Sequence, residues 1–219
     1  MLNEAAGIAG FLQSLASVRS DAVELIVVDG GSTDQTLALA MPHVNRVLQS
    51  AKGRAVQMNA GAAVAGGSVL LFLHADTQLP TGALDAIDRV VAQGASWGRF
   101  DVRIQGRSPW LKLVSTMMNW RSRLSGIATG DQAMFVTRAA FNAVGGFPQI
   151  ALMEDIAMST LLKKQAPAAC LSPRVVTSGR RWEQQGVWRT ILLMWRLRLA
   201  YFLGADPNQL ARRYGQTKS

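Results

Sequence analysis

The stretch that most limits the fold of this chain is Leu70-Leu71-Phe72-Leu73-His74-Ala75-Asp76. Four apolar residues run without interruption before the chain turns polar and places a carboxylate. A run of this length, bounded by Gly66-Gly67 and by Thr77 and Pro80, reads as a strand buried on both faces. An acid just past the carboxyl end of such a strand lies where open α/β sheets bind ligands. The plainer alternative is that Asp76 caps a helix beginning near Pro80.

The rest of the chain repeats this pattern. Ile8, Phe11, Leu12 and Leu15 fall at helical spacing, so residues 5–17 are expected to be a helix. Residues 24–29 form a second apolar strand ending in an acid, Asp29, and Gly30-Gly31-Ser32 make the turn after it. Ser32 or Thr33 is placed to cap the next helix. A short strand over 44–48, an Ala-rich helix over 53–64 carrying Arg54, the strand at 70–73 and a helix over 80–91 follow. Strand and helix alternate throughout, which is the pattern of an α/β, mostly parallel sheet with helices on both faces. The second half is less regular. Residues 97–104 alternate apolar and charged and read as a half-exposed antiparallel strand. Helices are expected over 110–124, 154–164 and 187–203, and strands over 133–136 and 168–176.

Composition narrows the chemistry. The 219 residues suit one domain with an appendage, divided as residues 1–183 and a basic helical segment, 184–219, packed on it. A single cysteine, Cys170, excludes an internal disulfide and is expected to be a small buried strand residue. With two histidines beside it, no zinc-type cluster is available. The net charge is +9, and nine Lys/Arg against two acids from Arg174 onward leave +7 of it in the last fifth. That tail implies an anionic partner, such as phosphate or anionic lipid. Nucleic acid is not expected, because no nucleic-acid-binding signature accompanies the charge. Met1-Leu2-Asn3-Glu4 is not a secretory start, and the longest apolar stretch, 187–203, is broken by Arg189, Arg196 and Arg198. The expectation is a soluble, cytoplasm-facing protein.

Gly-x-Gly-x-x-Gly after the first strand, a phosphate-binding P-loop and a Gly-x-Ser-x-Gly elbow are all absent. What remains is a set of acids at strand ends: Asp29, Asp76, Asp131 and the pair Glu154-Asp155. Sparse acids there suit a hard divalent cation bridging a diphosphate, with another acid serving as general base.

Four motifs stand in order along the chain: Val27-Val28-Asp29-Gly30-Gly31-Ser32-Thr33-Asp34, His74-Ala75-Asp76, Gly145-Gly146-Phe147, and Glu154-Asp155, with Asn3-Glu4 ahead of them. Together they resemble inverting family 2 glycosyltransferases of the GT-A fold, within a short bacterial subgroup carrying Leu-His-Ala-Asp-Thr and related to carotenoid-type glycosyltransferases. The resemblance implies transfer of a sugar from a nucleotide-diphosphate donor, expected to be a UDP-sugar, to a hydroxyl acceptor. It implies a divalent cation (Mn²⁺ or Mg²⁺) held by Asp76, with His74 standing where many members have a first Asp. Asp155 is the implied base, supported by Glu154. Asn3, Glu4, Asp29, Gly30, Gly31, Ser32 and Arg54 are the implied nucleotide-binding set, with Asp29 reading base or ribose. Asp131 and Gln132 are assigned to the diphosphate or acceptor. Arg180, Arg181 and Trp182 offer a diphosphate clamp and a ring for stacking. The family begins with an apolar strand ahead of Asn-Glu; here the chain opens at Met1-Leu2, so that strand is expected to be missing, with the start either assigned too late or truncated.

Two other functions fit parts of this pattern. A nucleotidyltransferase shares the nucleotide–metal–acid logic. A degenerate, non-catalytic protein would bind a membrane surface through its basic tail. The helix over 187–203 is apolar almost all round and can pack as core or lie at the inner face of a membrane with its arginines toward lipid phosphates.

Overall fold

The computed structural model describes residues 1–216. Strand β1 (Ile26–Asp29) pairs in parallel with β2 (Arg46–Gln49), with Ile26 opposite Arg46 and Asp29 opposite Gln49. A second sheet has five strands: β3 (Val69–Leu71), β4 (Thr77–Gln78), β5 (Trp97–Gln105), β6 (Phe135–Thr137) and β7 (Ala169–Ser178), in the order β3-β6-β5-β7-β4. Helix α1 (Ala5–Ser14) precedes β1, and α2 (Thr36–Ala40), α3 (Arg54–Val64) and α4 (Ala83–Ala92) connect the strands that follow. Later come α5 (Trp110–Ser125), α6 (Arg138–Ala143), α7 (Glu154–Leu162), α8 (Arg180–Gln185), α9 (Val187–Phe202) and α10 (Pro207–Gln216). The architecture is α/β, with a curled mixed sheet.

Parallel pairing is confined to β1–β2 and β5–β7, whereas β3–β6, β5–β6 and β4–β7 are antiparallel. The sheet is thus less parallel than the strand–helix alternation predicts, because β6, from the irregular half, lies between β3 and β5. The two sheets share no ladder among the described residues. Met1 lies along the end of β1: its amino group donates to the Val28 carbonyl at 2.7 Å, and the Gly30 N–H donates to the Met1 carbonyl at 2.9 Å.

Strand β5 departs most from its sequence pattern. Its alternation suggests a half-exposed strand, yet it is central and buried from Trp97 through Val102. The charged face is covered by α5 and neutralised internally. Arg99 is 0% exposed. It pairs with Asp101 and donates through Nε to Ser122 Oγ at 3.0 Å and through Nη2 to the Asn119 carbonyl at 3.2 Å. Arg123 completes the pairing, 2.9 Å from Asp101. A buried charge persists only when paired and hydrogen-bonded in this way. Asn119 also bonds both backbone groups of Val102, at 2.8 and 3.0 Å, so α5 is pinned to β5 by side chains as well as by packing.

The smaller boundaries shift less. Helix α1 ends at Ser14 and continues as a 3-10 turn, Ala16–Val18. Neither Ser32 nor Thr33 caps α2, whose N-cap is Gln35 without a side-chain bond. Cys170 is half-buried in β7 rather than fully buried. The segment after residue 183 packs on the sheet domain: Leu197 of α9 and Leu210 of α10 join Ile127, Leu152, Met153 and Ile156 in one cluster.

The outward faces of α5 and α9 are apolar. Trp110, Leu113, Met117, Trp120 and Leu124 on α5, and Trp188, Leu192, Trp195, Leu199 and Phe202 on α9, are 46–79% exposed. Each set follows helical spacing, so each forms one stripe. The stripes adjoin, with the Trp110 and Trp188 rings 5.1 Å apart. Neither helix carries an acid, and Lys112, Arg123, Arg189 and Arg196 are exposed on them. No helix among the described residues is long and apolar enough to cross a membrane.

Candidate active site

The loops after β1 and β3 lie side by side, since Leu73 and Ala75 pack in the same cluster as Ile8, Leu12 and Val27. After β1 the turn is held by Asp29. This residue is 0% exposed, and its carboxylate accepts from the Gly31 N–H at 2.9 Å, the Ser32 N–H at 2.8 Å and the Ser32 hydroxyl. Burial alone would raise the Asp29 pKa. The Ser32 and Gly31 donors outweigh it and hold the carboxyl below its ordinary value of 3.8. Asp29 therefore contributes stability above that value that is lost as pH falls through its folded pKa. Asn3 has φ 52° and accepts from the Thr33 N–H at 2.9 Å, while its own N–H donates to Ser32 Oγ at 2.8 Å. The Glu4 N–H donates to the Thr36 hydroxyl at 2.8 Å. Asn3, Glu4 and the 29–32 turn thus form one hydrogen-bonded unit, with Asp29 turned into the loop.

After β3 the chain runs to His74 and Asp76 and meets the 3-10 turn Gly130–Gln132. His74 Nδ1 stands 3.5 Å from Asp131 Oδ1. The imidazole lies against Gly130, where an added Cβ would come within 2.4 Å of Cε1, so the turn needs glycine there. The Gly130 N–H donates to Asp155 Oδ2 at 2.9 Å, and Asp155 Oδ1 accepts from the Ile156 N–H at 2.8 Å. Asp155 and Glu154 open α7, behind Met153 in the left-handed region at φ 71°. The N-terminal helix dipole favours acids at these positions.

Glu154 is 3% exposed, and Arg54 Nη1 lies 3.7 Å from its Oε1. Burial, then the charge of Asp155, pushes the Glu154 pKa above its ordinary 4.5, and Arg54 draws it only partly back. The native state then keeps a proton that the unfolded chain releases, so stability falls as pH rises from about 4.5 through the raised value. Glu154→Gln removes that loss. The difference in melting temperature between variant and wild type is expected to grow in the variant's favour from pH 4 to pH 7; a flat difference would mean that ionised Glu154 is not disfavoured in the fold.

Asp131 has the opposite sign. Burial would raise its pKa, but the hydrogen bond and charge of His74, then Arg54 and Arg181, hold it below its ordinary value. Arg181 is within electrostatic reach of Arg54, Asp131 and Asp76, and its guanidinium lies 4.8 Å over the Tyr214 ring. His74, Asp76, Asp131, Arg54, Arg181 and the Glu154-Asp155 pair therefore converge from five separate segments. No group of three His/Cys/Asp/Glu among the described residues is close enough to hold a metal ion unaided. The donors present still fit a hard divalent cation, because Asp76 and Asp131 offer carboxylate oxygens and such an ion takes one or two carboxylates plus substrate phosphates and water. His74 sits with Asp131 rather than with Asp76.

Two expected residues are engaged in building the fold, and a third is exposed beside Arg181. Gln132 is 0% exposed; with Thr129 it forms a capping box and reaches Asn119 Oδ1 at 3.4 Å, so it builds the turn. Trp182 is half-buried and packs against Ile104, Leu111, Val114 and Val187. Arg180 is exposed at the start of α8. Conversely, Arg198 lines a cavity with Glu154, Asp155 and Tyr214. The place of Arg198 on α9, nearly opposite Arg189 and Arg196, was the available signal for it; nothing local in the sequence marks Arg121, its counterpart on α5.

The carboxylates and arginines gather beyond the strand ends, where open α/β sheets bind their ligands. Residues 1–144 match the model for Glycosyl transferase family 2, and the chain belongs to that family. A similar curated relative is the PGL/p-HBAD biosynthesis glycosyltransferase of Mycobacterium tuberculosis, 39% identical over 98 residues. The match covers 42% of this chain and 38% of that protein, so it spans well under half the length of the relative. Solved structures share the GT-A fold. Residues 1–349 of S. aureus TarS in complex with UDP align with TM-score 0.65 at 19% identity, covering 81% of this chain and 58% of that one. The mannosyltransferase PcManGT of Pyrobaculum calidifontis, in complex with GDP-Man and Mn²⁺, aligns with TM-score 0.64 at 18% identity, covering 99% and 67%.

Proposed function

We propose that the protein is an inverting glycosyltransferase that moves a sugar from a nucleotide-diphosphate donor, a UDP-sugar in the first instance, to a hydroxyl acceptor, with a divalent cation. The observation that carries this reading is the joining of His74, Asp131 and Asp155 through Gly130, in a chain that belongs to family 2. The relatives lend support through their complexes with UDP and with GDP-Man and Mn²⁺.

In this reading the 29–33 turn and Asn3 shape the nucleoside pocket. Asp29 fixes the turn, and its neighbours present the donors. Asp76, aided by Asp131, holds the cation, which when bound stabilises the charge of the leaving diphosphate. Arg54 and Arg181 add positive charge at the same place. Asp155 accepts the proton of the acceptor hydroxyl. The acceptor oxygen forms its bond to the anomeric carbon as the bond to the diphosphate oxygen breaks, and in-line displacement inverts that carbon. Two N–H donors orient the Asp155 carboxylate without using all its lone pairs. A panel of nucleotide-sugars with Mn²⁺ or Mg²⁺, scored for nucleotide-diphosphate release, tests the reading. Release from at least one donor, abolished by chelator, is expected; none with any donor or metal would overturn it.

The same reading includes peripheral attachment to an anionic membrane. The paired stripes of α5 and α9 exceed the scattered apolar residues ordinary on a soluble surface, and their basic flanks would repel a second copy of the same face while attracting anionic lipid. Sedimentation with liposomes is expected to rise with anionic-lipid content and fall with salt. It is expected to drop for Trp120→Ser with Trp195→Ser, and for Arg189→Gln with Arg196→Gln. Protein that stays in the supernatant with every mixture at low salt would remove membrane attachment from the account.

A further inference from the structure

Two cations near the base are left without partners. Nε and Nη2 of Arg121 and Nε of Arg198 are buried and make no hydrogen bond among the described residues. Burial is the largest cause holding both arginines below their ordinary pKa, and Arg121 is brought to about 10, with Arg198 adding to the effect. The fully buried arginine of the fold, Arg99, is by contrast matched by Asp101, Ser122 and Asn119. Removing a guanidinium from water without a partner is costly, so a fold that keeps two together leaves a place for an anion. Asp155 does not fill it. It is within electrostatic reach of both, yet its oxygens accept from Gly130 and Ile156.

The place adjoins the diphosphate side, since Arg54 lines the same cavity as Arg198 and Asp131 is within electrostatic reach of Arg198 too. Arg54 and Arg181 act on Asp131, and Arg181 also on Asp76. Arg121 and Arg198 come instead from the inner sides of α5 and α9, the helices whose outer sides carry the apolar stripes. Arg198 shares a cavity with Asp155. Two guanidinium forks offer parallel N–H pairs suited to the oxygens of a phosphate.

We propose that Arg121 and Arg198 form an anion subsite for a phosphate group carried by the acceptor, beside Asp155, so that the acceptor is a phosphate-bearing hydroxyl compound. This rests on the glycosyltransferase reading for the word acceptor, but the subsite itself is read by binding alone. The full chain, with Arg121→Gln, Arg198→Gln and the double variant, is titrated calorimetrically with inorganic phosphate and glycerol 3-phosphate, first alone and then saturated with UDP and Mn²⁺. Vesicles of phosphatidic acid in phosphatidylcholine present the same group on a lipid.

Phosphate affinity is expected to fall at least tenfold in each single variant, while UDP affinity changes less than twofold. Without anion the variants are expected to melt at or above the wild-type temperature, because each loses a buried unpaired charge. Tighter, variant-sensitive binding to phosphatidic acid vesicles than to glycerol 3-phosphate identifies a lipid source; equal binding identifies a soluble one, and either supports the subsite. Phosphate binding that survives in the double variant, or that disappears when UDP and Mn²⁺ saturate the chain, overturns it. So does a clear drop in melting temperature, which would make the arginines packing residues. If no donor is turned over but the variants still lose phosphate, the subsite stands and the enzymatic reading falls.

Discussion

Asp155→Asn is expected to slow sugar transfer by roughly 10²–10⁴-fold, the usual contribution of a positioned general base. Asn keeps the size of Asp, and its carbonyl can still accept the Gly130 N–H, so the turn at 130–132 should stay in place. What is lost is the ability to take a proton from the acceptor hydroxyl. Donor affinity should therefore be unchanged and the deficit should appear in kcat. Steady-state kinetics with donor binding measured separately will show the split. A variant transferring at near the wild-type rate would remove Asp155 from the mechanism and turn attention to Glu154, whose raised pKa and ion pair with Arg54 make it the neighbouring alternative.

Asp76→Ala is expected to abolish the metal-dependent part of nucleotide-diphosphate binding. The residue is exposed at the end of a loop, so its side chain contributes little to the core. Its backbone carbonyl, which accepts from the Ser178 N–H at 3.2 Å, is retained in the variant. Calorimetry of UDP binding with Mn²⁺ and with chelator separates the two contributions. Asp131→Ala should weaken the same component less, because Asp131 is partly engaged by His74. Unchanged Mn²⁺-dependent binding in Asp76→Ala would refute the metal assignment.

The parts of the fold that were legible in the sequence are those where one face is apolar and the other polar. The strand ending at Asp29 and helices α3, α4, α5, α7 and α9 follow from periodicity and punctuation, whereas the strand expected over 70–73 with both faces buried is the shorter β3, Val69–Leu71, which stands at the sheet edge and buries only Leu70. Strand β5 misleads for a physical reason. Alternating charge normally signals a wet face, but Arg99 and Asp101 satisfy each other beneath α5. Polarity along a strand reports the chemistry of a face and not its exposure. Helix α9 shows the converse. With apolar residues nearly all round, its pattern does not say that Leu197 goes inward and Trp195 outward.

The candidate site divides along similar lines. Asp76, Asp131, Glu154 and Asp155 were marked by their places at element ends, and they converge. Gln132 and Trp182 carry suitable chemistry; in the fold Gln132 forms a capping box and Trp182 packs half-buried against a core cluster. Asp29 was marked as a ligand reader, and in the fold its carboxylate accepts from the Gly31 and Ser32 N–H groups of its own turn. Such outcomes depend on which polar groups find partners within the fold, and that is settled by tertiary contacts many residues apart. Arg121 and Arg198 lie 77 positions apart and acquire meaning only when α5 and α9 stand together.

The most direct measurement of the central claim is the configuration of the transferred sugar. With a donor found active in the panel, the product should be analysed by NMR for the anomeric proton. A single displacement assisted by Asp155 predicts that the bond to the acceptor has the opposite configuration to the bond in the donor. A product retaining the donor configuration would contradict the account.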